Sequence, residues 1–128
     1  MKNKKFTIRS RLRSFNYAFN GIKILVREEH NARIHIFAAI CAVIAGFILN
    51  ISSLEWISVL FSIGFVLAFE AINSAIESIA DFVSAEKHDA IKKIKDLSAA
   101  AVLLSAITAL IIGFIVFLPK ILDLCLNY

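Results

Sequence analysis

Glu70, Asn73, Glu77 and Asp81 follow one another at spacings of 3, 4 and 4. On a helix of about 3.6 residues per turn they share one stripe, with Ser74 beside them. Their neighbours from 69 to 82 are Phe, Ile, Ala and two Ser, and acids inside such a stretch are costly in a bilayer and usually functional. Carboxylate oxygens on one face suit a hard divalent cation, and a carboxylate in an apolar setting suits a general base. The plainer alternative is that the stripe emerges at a membrane surface, solvated or paired with Lys92 or Lys95. The following connection adds Glu86, His88 and Asp89, then Lys92, Lys93, Lys95 and Asp96. Cations beside carboxylates match the needs of a metal–phosphate ligand, where each sign of charge has a task. No GxxxxGK[ST] loop occurs, which excludes a P-loop enzyme, and the protein-kinase signature set is missing as well.

Membrane helices must position this stripe. The chain has 128 residues, of which 59% are hydrophobic and only 19% charged, against roughly 45–50% apolar in a soluble domain. Mean hydropathy is +0.80. A chain of one-domain length has too little interior to hide that much apolar surface from water, so lipid is the solvent for part of it. Disorder and a disulfide scaffold are excluded by the same composition. Four Gly and one Pro, with apolar runs too long for strands, predict an all-helical chain.

Three apolar segments are long enough to span: 34–51, 54–80 and 97–118, the last ending at Pro119. The first follows a long basic segment and has no convincing cleavage site, so it does not read as a signal peptide. Ser52 and Glu55 have capping-box spacing, which predicts the start of the second span, and Trp56 suits the interfacial belt. Nine of the fourteen Lys and Arg precede residue 34, and Lys87, Lys92, Lys93 and Lys95 fill the second connection. The positive-inside rule places both regions in the cytoplasm, with the 50–55 turn and the C-terminus outside. Only Lys120 opposes that arrangement.

Residues 8–30 read as a surface helix. Leu12, Phe15, Phe19, Ile22 and Val26 recur at steps of 3, 4, 3 and 4, with Arg13, Asn20 and Arg27 to one side. A helix lying on the inner leaflet fits this pattern, as does one packed on the membrane bundle. The basic end suits anionic headgroups or an anionic soluble ligand better than nucleic acid. Cys41 and Cys125 have no metal or redox spacing.

The run Glu70-Ala-Ile-Asn73-Ser-Ala-Ile-Glu77-Ser-Ile-Ala-Asp81, with Glu86-Lys-His88 and Lys95-Asp96-Leu-Ser-Ala-Ala-Ala-Val102, resembles the bacterial membrane diacylglycerol kinase family. The family pattern is ExxNxAIExxxD followed by KDxxAAAV, and the resemblance extends from about residue 10 to Pro119. His35 after Arg33, Glu55-Trp56 and Phe117-Leu118-Pro119-Lys120 look closest to the undecaprenol kinases of the Gram-positive type. The resemblance implies a homotrimer with three membrane helices per chain and an N-terminal amphipathic helix, in the bacterial inner membrane. Active sites would lie at the cytoplasmic surface, shared between chains. Glu70 resembles the catalytic base, and Glu29 and Glu77 the carboxylates that hold Mg²⁺. Asn73, Lys95 and Asp96 complete the essential set, and Tyr17, Glu86 and His88 match positions lining the ATP site. The family's early arginine aligns with Ser10, which leaves Arg9 and Arg11 as replacements.

The implied reaction is ATP·Mg²⁺-dependent phosphorylation of a membrane lipid alcohol, undecaprenol first and diacylglycerol as the alternative. A small cation-coupled transporter with Glu70 and Glu77 as ion sites is the rival from another class, and a non-catalytic membrane assembly protein is a third. A transporter has no need of Lys95-Asp96 or Glu86-His88.

Overall fold

A computed structural model of the chain describes residues 7–84, 86 and 88–127. Four α-helices follow in order: α1 (Ile8–Glu28), α2 (His30–Ile48), α3 (Ser53–Val83) and α4 (Asp89–Leu126), with no strand among the described residues. The last three are long and apolar enough to cross a membrane. At 1.5 Å per residue α2 is about 28 Å long, α3 about 46 Å and α4 about 57 Å. A hydrocarbon layer of about 30 Å therefore takes all of α2 but leaves α3 and α4 protruding. Lys87 of the basic connection, and Lys2, Lys4 and Lys5 of the basic N-terminal segment, lie outside the described residues.

α3 packs chiefly on α4 and next on α2, while α2 barely meets α4. Each helix leaves most of its apolar side chains exposed, from Phe15 and Phe19 on α1 to Ile115 on α4. Water would not tolerate so much exposed apolar surface, whereas lipid or another copy of the chain would.

The helix ends differ from the sequence expectation in instructive ways. The first two helices meet at Glu29, whose extended backbone (φ −99°, ψ 111°) ends α1 and starts α2, so His30 belongs to α2. α2 stops at Ile48, and the segment expected to run to residue 51 instead closes in a Schellman turn. There the Ile51 N–H bonds the Gly46 carbonyl at 3.2 Å and the Asn50 N–H bonds that of Phe47 at 3.4 Å. Asn50 takes the left-handed backbone this turn requires, at φ 48°, a conformation Asn tolerates better than most residues. Pro119 does not end the last span either, because α4 runs through it to Leu126. Proline removes one backbone donor, a loss that packed neighbours offset in membrane helices. Val116 and Phe117, just before it, are held in the core cluster, and Lys120, just after it, pairs with Glu55 at 3.3 Å.

Candidate active site

Glu29 occupies the break between α1 and α2, flanked by the buried Leu25 and Ala32. Its carboxylate meets α3, where Oε1 accepts a 2.7 Å hydrogen bond from the Ser74 hydroxyl. Glu28, its neighbour, is exposed, so of the adjacent pair only Glu29 reaches the stripe.

The stripe itself grades from dry to wet. Glu70 is 2% exposed, Asn73 and Glu77 are half-buried, and Asp81 is exposed, over a rise of about 16 Å. Ser98 of α4 donates to Asn73 Oδ1 at 2.6 Å, and Asn73 Nδ2 donates to Glu77 Oε1 at 3.4 Å. These bonds lock the amide's orientation, because its acceptor and donor ends are each engaged. At the wet end Lys95 Nζ lies 2.7 Å from Asp81 Oδ1, which is one of the pairings the plainer reading of the stripe anticipated. Lys92 and Asp96 pair one turn apart on α4.

Glu70 faces His35 of α2, with Nε2 3.1 Å from Oε1. That oxygen is sealed from solvent and has no aligned hydrogen-bond donor among the described residues. Glu29 and Glu77 stand close enough to act on Glu70 electrostatically. The structure thus gathers Glu29, Glu70, Asn73 and Glu77, with Lys95 and Asp96 on the adjoining turns of α4. Tyr17, Glu86 and His88 are exposed and make no side-chain hydrogen bond or ion pair among the described residues.

Three contributors were missed from sequence: Ser74 and Ser98 as hydrogen-bond donors, and His35 as the neighbour of Glu70. His35 had a signal of its own, since it is a titratable residue in an otherwise apolar span. Beyond it, an apolar groove of about 760 Å³ runs between α2, α3 and α4 from His35 to Ile121.

Protruding span ends that carry grouped carboxylates and lysines define a class of membrane proteins that handle charged ligands at the bilayer surface. Comparison with known proteins narrows the class: residues 16–117 match the model of the prokaryotic diacylglycerol kinases, and the chain belongs to that family. It is therefore an enzyme, a lipid kinase. Among its relatives is the undecaprenol kinase of Bacillus subtilis (strain 168), 37% identical over 109 residues, covering 85% of this chain and 89% of the relative. The diacylglycerol kinase of Synechocystis sp. is 33% identical over 112 residues, covering 87% of this chain and 64% of that protein. The diacylglycerol kinase of Escherichia coli (strain K12) is 28% identical over 100 residues, covering 78% and 82%.

Proposed function

We propose that the chain phosphorylates undecaprenol to undecaprenyl phosphate with ATP as donor. The observation that carries this choice of acceptor is the groove beside Glu70. Its lining is almost entirely hydrocarbon, and its one serine, Ser62, already donates its hydroxyl to the Ser58 carbonyl at 2.8 Å. A polyprenyl tail asks for nothing but apolar surface, whereas the ester carbonyls of diacylglycerol gain from donors, and the groove's polar lining besides Ser62 is limited to Cys41 and to His35, which already faces Glu70. The similarity to an undecaprenol kinase supports the same choice.

Phosphoryl transfer asks mainly for positioning and charge neutralisation. In this reading the tail lies in the groove and the hydroxyl meets Glu70, which accepts its proton as the oxygen attacks the γ-phosphate. Lys95, shared with Asp81, offsets charge on the nucleotide, and Asn73 holds Glu77 in place. Mg²⁺ fits the donor set. No group of three or more metal-ligating side chains stands together among the described residues, and Mg²⁺ is typically held by one or two carboxylates together with substrate phosphates. Glu29 and Glu77 would hold it, each with one oxygen still uncommitted. The ion would supply neutralisation of phosphate charge.

Tyr17, Glu86, His88 and Asp96 complete the nucleotide site in our reading. One chain leaves the first three apart from the Glu70 group, which supports a homotrimer whose sites are shared between neighbours. α1 would lie on the inner leaflet through its Leu12–Val26 stripe. The N-terminus and the 84–88 link would be cytoplasmic and the C-terminus outside, in keeping with the basic residues on either side of α2 and α3.

Purified protein in vesicles, given ATP·Mg²⁺ and either undecaprenol or diacylglycerol, tests the acceptor. We expect the higher kcat/KM with undecaprenol. Equal or faster turnover of diacylglycerol would replace it as the acceptor, and ATP consumption independent of added lipid alcohol would overturn the reading.

A further inference from the structure

We propose that His35 is the positioning residue of the general base. Its Nε2–H completes a hydrogen bond to Glu70 Oε1 and leaves Oε2 as the oxygen that takes the proton. The inference rests on the proposed role of Glu70 and on three observations that are independent of it. Glu70 Oε1 is sealed and has no aligned donor among the described residues. His35 Nε2 is 3.1 Å away, within hydrogen-bonding distance. And His35 borders the apolar groove, so the ring lies where a tail-bound lipid presents its head.

A buried carboxylate oxygen with no donor is costly, and an imidazole N–H at this distance meets that need. The bond also distinguishes the two oxygens. The one that accepts from His35 is the weaker base, and the carboxylate plane is fixed so that the other faces the incoming hydroxyl. In the transfer step the lipid O–H proton moves to Oε2 and the lipid oxygen bonds to the γ-phosphorus. The bond from that phosphorus to the bridging oxygen breaks, and its electron pair leaves with ADP. His35 takes no part in the bond changes. The ring is held for the task by its place on α2 and is only 27% exposed, which limits its freedom to turn away.

The test compares His35→Phe, which keeps a ring without a donor, with His35→Gln, which restores an N–H on a flexible stem. Both are assayed as full-length protein in vesicles with the better lipid acceptor. Losing the donor to a buried group predicts about a tenfold fall in kcat for His35→Phe. The KM for ATP should not change, and His35→Gln should recover a substantial part of kcat. His35→Ala with added imidazole gives a second route, in which imidazole restores turnover even if the Phe variant folds poorly. Parental kcat in His35→Phe, equal impairment of Phe and Gln variants, or an effect confined to the KM for lipid would each overturn the proposal. Full activity of Glu70→Gln would instead sink the base assignment, so the two failures are distinguishable.

Discussion

Where α2 turns into α3, the polar groups are paired within the chain. Ser52 and Glu55 exchange hydrogen bonds at 3.2 and 2.7 Å in a capping box, and Lys120 closes on Glu55 from α4. Ile51, Val59 and Val116 form the buried apolar cluster beneath them. At the opposite end of α3 the pattern reverses. Among the described residues Glu70 keeps a sealed oxygen with no aligned donor, and Glu29 and Glu77 each accept a single side-chain hydrogen bond. Self-satisfied polar groups stabilise a turn and have nothing left for a ligand. Under-satisfied ones cost stability, a cost expected where function resides. The chain thus separates its hinge from its chemistry by the length of a span.

The largest expected effect tests the chemical end. Glu70→Gln keeps volume and hydrogen bonding but cannot accept a proton, so kcat should fall by roughly 10²-fold or more, the scale of general-base loss. ATP·Mg²⁺ binding and thermal stability should persist. Glu77→Gln should instead raise the Mg²⁺ concentration needed for half-maximal rate. Loss of nucleotide binding with unchanged turnover at saturating ATP in Glu70→Gln would make Glu70 a ligand, and an unchanged Mg²⁺ titration in Glu77→Gln would move the metal elsewhere.

What was legible in the sequence shares one property: it is local. The 70–81 stripe, the capping box and the apolar runs are patterns of three or four residues repeated, which is how a helix writes its faces. The break at Glu29 carries no Gly or Pro to announce it and lies between the buried Leu25 and Ala32. Pro119 announces a helix end that the neighbouring contacts of α4 override. Ser98 with Asn73, and Ser74 with Glu29, pair residues 25 and 45 positions apart, and no spacing rule connects such positions. The family motif names Asn73 but says nothing of the Ser98 hydroxyl that orients it.

A smaller effect is expected at the structural end, at Gly46. A Cβ built there would lie 2.7 Å from Trp56 Cη2 and 3.0 Å from Ile51 Cδ1. The indole has little room to retreat, because the Phe47 ring packs against it at a centroid distance of 4.8 Å and an interplanar angle of 54°. Overpacking of this kind costs about 1–3 kcal/mol, while Ala in place of Gly returns up to about 1 kcal/mol of helix propensity. Gly46→Ala should therefore lower the thermal midpoint in detergent and leave kcat unchanged. The same substitution combined with Trp56→Phe should be neutral or stabilising. A loss that persisted in the double variant would show that Trp56 is not what Gly46 accommodates.

Ser52→Ala should give the smallest effect. It removes the hydroxyl that accepts the Glu55 N–H at 3.2 Å but leaves the Glu55 carboxylate on the Ser52 backbone N–H at 2.7 Å. Half of the box therefore survives, and Lys120 still holds Glu55 in place. Loss of an N-cap hydroxyl costs about 0.5–2 kcal/mol, and the surviving bond places this variant toward the lower end. Thermal unfolding in detergent should show a small fall in midpoint, with kcat and the Mg²⁺ requirement unaltered. The readout that matters is the pairing of the two measurements. If Ser52→Ala lowered kcat while the midpoint held, the α2–α3 turn would be coupled to Glu70 through the span, and the division between a closed structural end and an open chemical end would not stand.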